Sequence, residues 1–337
     1  MDNSDHSRVT IVDIAREVGV SAKTVSRAIR GDDYISPETL ERIQEAIVRL
    51  GYRPNRAARR LVSNRSGVIG IVVPNINNPF FSEIVRGIED TALERDYNVL
   101  LFSTDMHLER ERAAYRYMEE NGVDGVIIDL PLIPIPELET ILARQKGAIL
   151  IDHPFVKGAA GVIRIDFYEA ASQAVEYMAK WGRRQPGYLS PPGGYTFTER
   201  MRGIADAAAR LKIVIPPHHF RQCEATFEDS FRAARDLLVQ NPTLDSLICF
   251  NDVIGIGALE ACDDLGIKVP EQVAIIGFDD IDIAGLRRIG LTTFRVPKLE
   301  IGIQAMQMLL SYLDGIESPS EIVMQTDFIQ RKTTPTF

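Results

Sequence analysis

The segment VTIVDIAREVGVSAKTVSRAIR, from Val9 to Arg30, decides how the rest of the chain is read. Its apolar positions Ile11, Ile14, Ala15 and Val18 recur at helical spacing, and Thr10 stands before them as an N-cap. Gly19 interrupts that helix, at a point where a left-handed backbone is cheap for glycine. Ser21 then caps a second helical segment over 21–30, with Val25, Ala28 and Ile29 as a narrow inward stripe. The outward face carries Ala22, Lys23, Ser26, Arg27 and Arg30. Two short helices joined by a Gly-containing turn make a helix-turn-helix. Small and basic side chains on the second helix suit a DNA major groove.

A third helix follows. Ser36 is its N-cap, Pro37 occupies its first turn, Leu40, Ile43, Ile47 and Leu50 trace one face, and Gly51 ends it. Three such helices would also serve as a small cap on an enzyme. That alternative leaves the crowding of basic and polar residues on the second helix unexplained.

Charge supports the first reading. The chain has 337 residues, 45% hydrophobic and 25% charged, with a net charge of −9. Residues 1–66 hold 12 Lys/Arg against 9 Asp/Glu, a net of +3, while the remainder carries −12. No acid lies between Glu45 and Glu83, yet Arg49, Arg53, Arg56, Arg59, Arg60 and Arg65 all do. A basic head on an acidic body points to a polyanionic partner, although an arginine run alone is also what a solvated surface looks like. No apolar run approaches the ~18–20 residues of a membrane span. The polar N-terminus lacks the pattern of an export signal, so the chain is expected in the cytoplasm. Cys223, Cys249 and Cys262 fall in no paired spacing, and the five histidines form no ligand array, so neither a metal nor a cofactor is expected.

From Gly67 onward, strand-sized apolar runs at 68–73, 99–103, 126–128, 148–152, 187–190, 247–250, 273–277 and 323–330 alternate with helical stretches such as 80–95, 198–211 and 298–313. That pattern implies parallel α/β units. One barrel, one large sheet or two sheets would all satisfy it. Asp152, Asn251, Asp252 and Asp279 stand where strands end, and Arg200 near the start of a helix. Ligands gather beyond such strand ends, though a strand-terminal Asp or Asn equally caps the next helix.

The run from Val9 to Ile29 and the stretch GYRPNRAARRL from Gly51 to Leu61 resemble the LacI/GalR family of bacterial transcription regulators. Asn78 to Phe81, Asn251-Asp252 and Gly277 to Asp280 follow in family order. The resemblance implies a multi-domain chain: a helix-turn-helix DNA-binding domain over 1–53, a hinge helix and linker over 54–66, and an effector-binding and dimerisation body over 67–337. The body would be type I periplasmic-binding-protein-like, with two doubly wound subdomains, the N-subdomain about 67–160 and 292–320, the C-subdomain about 161–291 and 321–337. Three crossings would join them, near 160, near 290 and within the last twenty residues.

By the same resemblance, Ala22, Lys23 and Arg27 face base edges, Arg27 being suited to a bidentate bond to guanine. Thr10, Ser21, Thr24, Ser26 and Tyr34 would contact the DNA backbone. In the hinge, Asn55, Arg56 and Arg59 would lie on the DNA, Ala58 would allow two hinge helices to approach, and Leu61 would wedge into the minor groove. The effector set would be Phe80, Phe81, Asp152, Arg200, Asn251 and Asp279, a mixture that suits a sugar or sugar derivative. Ala225 departs from the family, where an aromatic residue that stacks on the ligand is common; Phe227 or His153 are candidate replacements. The stretch 185–194, with its Pro-Pro-Gly-Gly, also departs from the pattern.

The function expected is thus a sequence-specific, repressor-type regulator, acting as a homodimer on a pseudo-palindromic operator and tuned by a small carbohydrate, with no membrane partner. A nucleotide- or sugar-using α/β enzyme is the rival. Gly255 and Gly257 begin a dinucleotide fingerprint, but Glu260 replaces its third glycine. A periplasmic solute-binding protein would share the body and not the basic head.

Overall fold

A computed structural model describes residues 9–30, 35–52 and 65–335, in two compact units that divide at Ser66/Gly67. Tyr34, Asn55, Arg56, Ala58, Arg59 and Leu61 lie outside the described residues.

In the head, α1 (Ile11–Val18) opens on a capping box: Asp13 N–H donates to Thr10 Oγ1 at 3.4 Å, and Thr10 N–H donates back to Asp13 Oδ2 at 2.9 Å. A cap of this kind is worth about 1 kcal/mol. Gly19 ends the helix in the left-handed region at φ 74°. The second helix, α2 (Ala22–Arg30), starts under Ser21, whose hydroxyl accepts from Thr24 N–H at 3.1 Å. Ser36 caps α3 (Pro37–Leu50), and Gly51 closes it at φ 64°. Ile14, Val18, Val25, Ile43, Ala46 and Tyr52 make the core. Arg42 also donates to the Val18 carbonyl at 2.7 Å, tying α3 to the end of α1.

The body has two six-stranded sheets. The first contains β1 (Val68–Val73), β2 (Asn98–Ser103), β3 (Gly125–Asp129), β4 (Ala148–Ile151), β5 (Gly161–Ile165) and β11 (Glu321–Met324), ordered β11-β5-β4-β3-β1-β2 and wholly parallel. The second contains β6 (Pro186–Ser190), β7 (Phe220–Gln222), β8 (Ser246–Cys249), β9 (Ala274–Asp279), β10 (Thr292–Arg295) and β12 (Asp327–Ile329), ordered β12-β10-β9-β8-β6-β7. Only the β10–β12 pair there is antiparallel. The central strands are buried along their length, as parallel sheets covered on both faces require.

Helices α4 (Pro79–Leu93), α5 (Leu108–Asn121), α6 (Ile135–Leu142) and α11 (Lys298–Leu313) accompany the first sheet. Helices α7 (Phe167–Lys180), α8 (Tyr195–Arg210), α9 (Phe227–Gln240) and α10 (Asp252–Asp264) accompany the second. The helices α4 and α11 pack through glycines. A Cβ on Gly87 would collide with the Leu299 carbonyl, and one on Gly302 with the Ile84 carbonyl.

Three boundaries differ from expectation. Gly161–Ile165 pairs with β4 and so belongs to the first sheet, which moves the first crossing from near 160 to the stretch between Ile165 and Phe167. Thr292–Arg295 pairs with β9 in the second sheet, which moves the second crossing from near 290 to Val296-Pro297. The single strand expected over 323–330 is two strands: β11 lies beside β5 and β12 beside β10, with the third crossing at Gln325-Thr326. In each case a short run has to be paired with a partner before its sheet is known, and spacing along the chain carries no such information.

Candidate functional site

The head offers one coherent outward face. Ala22, Lys23 and Arg27 are exposed on α2, on the side away from buried Val25, and neither cation is engaged by another described residue. Ser26 is half-buried beside them. The hydroxyls expected at the DNA backbone already have local roles. Thr10 donates to Asp13 Oδ2 at 2.7 Å, and Ser21 and Thr24 share one hydrogen bond of 2.8 Å. Because either hydroxyl of that pair can be its donor, one proton of the two stays available to a phosphate. Arg49, from the acid-free run, pairs with Glu17 at 2.7 Å.

In the body, the carboxyl ends of strands from both sheets converge on Arg200. Expected at the start of a helix, Arg200 instead lies in the second turn of α8, because Gly194, at φ 87°, starts that helix at Tyr195. It is 2% exposed. Its guanidinium carbon lies 3.3 Å from the ring centroid of Phe167, 4.1 Å from Phe250 and 5.2 Å from Phe278. Desolvated cation–π contacts of this kind are worth about 2 kcal/mol. Burial lowers the guanidinium pKa, opposed by Tyr188, Asp152 and Asp279. The rings hold its position, while Nε has no hydrogen-bond partner.

Asp152 follows β4 at φ 53°, and Asp279 ends β9 at φ 108°. Non-glycine residues in such conformations cost on the order of 1–3 kcal/mol and cluster where a side chain must be aimed. Burial raises the pKa of both carboxyls to about 7, with Arg200 pulling each down. Asp152 Oδ1 has no hydrogen-bond partner. Lys298, 4% exposed at the start of α11, donates to the Asp279 carbonyl at 2.7 Å and the Asp280 carbonyl at 3.0 Å, and lies 3.5 Å from Glu83 on α4. It therefore ties the helices of the first sheet to the strand end of the second.

Sequence reasoning missed several members of this cluster. Asp129, the last residue of β3, is 3% exposed with both carboxyl oxygens unpartnered, and Tyr188 Oη on β6 is unpartnered as well. Burial pushes Asp129 well above the usual carboxylate range, and Asp152 and Asp279 push it further. Burial likewise raises Tyr188 to about 12. Asp129 carries the same strand-end signal as Asp152 and could have been read from it. Tyr188 and Phe167 gave no such signal.

The remaining expected residues divide. Asn251 is buried, but its Oδ1 caps α10 by accepting from Ile254 N–H at 3.0 Å. Asp252 is a fold residue, accepting from Ile281 N–H at 3.0 Å and Thr293 Oγ1 at 2.5 Å. Phe80 and Phe81 are buried in edge-to-face contact, with centroids 5.1 Å apart. Phe227 is 49% exposed and is not among the rings over Arg200. His153, beside Asp152, lies 6.4 Å from the ring of Tyr195. Tyr195 Oη in turn accepts from Arg164 of the first sheet at 3.2 Å.

Comparison with known proteins agrees with this division of the chain. Residues 66–332 match the family described as periplasmic binding proteins and sugar binding domain of LacI family, and residues 10–55 match bacterial regulatory proteins, lacI family. The HTH-type transcriptional regulator RegA of Clostridium saccharobutylicum is 30% identical over 328 residues, 96% of this chain and 99% of that protein. The HTH-type transcriptional repressor CytR of Escherichia coli is 32% identical over 309 residues, 91% of this chain and 90% of that protein. Among solved structures, a complex of the transcriptional regulator CelR with cellobiose covers 97% of this chain and 100% of its own at 26% identity, with a TM-score of 0.72. A lac repressor dimer bound to operator and the anti-inducer ONPF covers 98% and 100% with a TM-score of 0.88; at 22% identity it speaks to the fold alone. The two family matches account for head and body in turn, and on these grounds the chain belongs to the LacI family of bacterial regulatory proteins.

Proposed function

We propose that this LacI-family regulator is a cytoplasmic repressor that reads a pseudo-palindromic operator as a homodimer and changes its operator affinity when a small carbohydrate binds between the two sheets of the body. In this reading Arg27 and Lys23 contact base edges, Ala22 makes apolar contact beside them, and Ser21, Thr24, Ser26 and Thr10 lie at the sugar-phosphate backbone. The hinge roles of Asn55, Arg56, Ala58, Arg59 and Leu61, and the backbone contact of Tyr34, belong to the same proposal. Arg200, Asp152 and Asp279 hold the effector, and Asn251 contributes its amide nitrogen.

The observation that carries the reading is the set of buried, unpartnered polar atoms on Asp129, Asp152, Tyr188 and Arg200, on a chain whose head presents exposed Lys23 and Arg27 along α2, engaged by no other described residue. Leaving such groups unsatisfied costs about 1–3 kcal/mol each, a burden that hydroxyl groups of a ligand relieve. CelR, a relative by structure, is described in complex with cellobiose, which supports a carbohydrate. Dimerisation is supported by β2, an edge strand of the first sheet among the described residues, with Leu101 exposed and the Phe102 ring packed 5.6 Å from that of the half-exposed Tyr117 of α5.

Fluorescence anisotropy on double-stranded DNA from the chain's own promoter region, with and without a panel of mono- and disaccharides, tests the proposal. Sequence-specific binding that shifts with one sugar is expected. Equal affinity for scrambled DNA would remove the operator reading, and indifference to every sugar the effector reading.

A further inference from the structure

Asp252 shows what a buried carboxylate that serves the fold looks like here: both oxygens accept hydrogen bonds from neighbouring elements. Asp129 is as deeply buried, and neither of its oxygens is bonded. Asp152, whose charge bears on that of Asp129, leaves Oδ1 unpartnered too, and Arg200, which bears on Asp152 and Tyr188, leaves Nε unpartnered, as Tyr188 leaves Oη. Unsatisfied buried polar groups gathered in one place mark a site built for something other than the fold.

The charge of this cluster restricts what can enter. Arg200 is the one guanidinium that acts on Asp152 and Asp279, and both of those carboxyls act on Asp129, on which no cation is brought to bear among the described residues. The other charges nearby are already committed. Lys298 is held by two carbonyls and Glu83, Arg164 by Glu321 and Tyr195, and Glu199 by Arg202. The site thus holds more carboxyls than cations in a desolvated space, where burial keeps protons on them and an entering cation is what would let them ionise.

We infer that Asp129 is a specificity-determining residue of the effector site, and that with Asp152 and Asp279 it selects a polyhydroxylated effector bearing a protonated amine over the neutral and, above all, the anionic form of the same scaffold. The inference rests on the effector reading above. An ammonium group supplies three donors and a positive charge, which is what Asp129 and its two neighbouring carboxyls lack. A sugar phosphate or uronate adds a negative charge where Arg200 alone can meet it, and an uncompensated buried charge is strongly disfavoured.

Matched probes decide it. Thermal unfolding of the full chain is followed with glucosamine, glucose and glucose 6-phosphate, and with galactosamine, galactose and galacturonate. The amine is expected to raise Tm most within a set and the anion least. Asp129→Asn, nearly isosteric, is expected to hold or raise the Tm of the free chain while shrinking the advantage of the amine over the neutral sugar. An anionic or neutral member that stabilises as well as the amine overturns the inference while the carbohydrate-effector reading stands. A marked fall in the Tm of free Asp129→Asn assigns Asp129 to the fold and overturns it as well. No shift with any of the six overturns the inference, while the effector reading falls only if the wider panel of mono- and disaccharides is also without effect.

Discussion

Lys298 Nζ donates to the backbone carbonyl of Asp279 at 2.7 Å, so a helix of the first sheet grips the residue of the second sheet whose carboxyl interacts with Arg200. Replacing Lys298 with Met removes the donor from two carbonyls and leaves Glu83 without its cation. Unsatisfied buried acceptors cost about 1–3 kcal/mol each. Calorimetry on the full chain is expected to show a Tm lower by several degrees; an unchanged Tm would show that the contact contributes nothing to the fold.

Arg27 is exposed and lies on the opposite side of α2 from Val25. Arg27→Ala is expected to weaken specific operator binding by roughly 10- to 100-fold, in line with the loss of one bidentate base contact. Binding to scrambled DNA should change much less. Equal losses on both DNAs would demote Arg27 to a phosphate contact.

Operator affinity should fall linearly with salt on a log–log plot, because phosphate neutralisation releases counterions. If Lys23 meets a phosphate, Lys23→Ala lowers the magnitude of that slope by about 1 and affects all sequences alike. If it meets a base, the slope holds and specificity drops. Titrations at four salt concentrations separate the two.

Arg200→Lys keeps the charge and loses the flat guanidinium that lies between Phe167 and Phe250. The effector response is expected to disappear while operator affinity without effector stays near that of the parent chain. Loss of both would make Arg200 a folding residue.

Asp152 and Asp279 have pKa values of about 7 in the folded chain, raised by burial, against a value near 4 when unfolded. Between those values the folded chain holds protons that the unfolded chain has released. Stability is therefore highest below pH ~4 as far as these two groups are concerned, and falls as pH rises toward ~7. Urea midpoints at pH 5 and pH 7.5 should show the decline, and Asp152→Asn should flatten it. A midpoint that rises over that interval in the parent and not in Asp152→Asn would contradict the assignment.

The sequence made the head legible almost residue by residue, because its signals are local. Thr10, Gly19, Ser21, Ser36, Pro37 and Gly51 all punctuate helices where their side chains or φ angles demand. The body was legible as alternating strands and helices, and its sheet membership was not. Whether Gly161–Ile165 joins β4 or a strand of the other sheet depends on pairing across the fold, as does the split of 323–330 into two strands. At the cleft, strand-end Asp152 and Asp279 stood out. Phe167 and Phe250 did not, since a core phenylalanine and one stacked on a guanidinium look alike in a sequence.

The backbone passes between the two sheets three times, at 166, at 296–297 and at 325–326. No contiguous length of the gene therefore encodes either whole sheet, although the strand ends around Arg200 come from two contiguous stretches, 67–165 and 167–295. An exchange of 67–165 or of 167–295 would carry one set of strand ends whole and leave its sheet to be completed by the recipient's own β11 or β12. The seam of such an exchange would fall on the short C-terminal strands, far along the chain from Asp129 and Asp279.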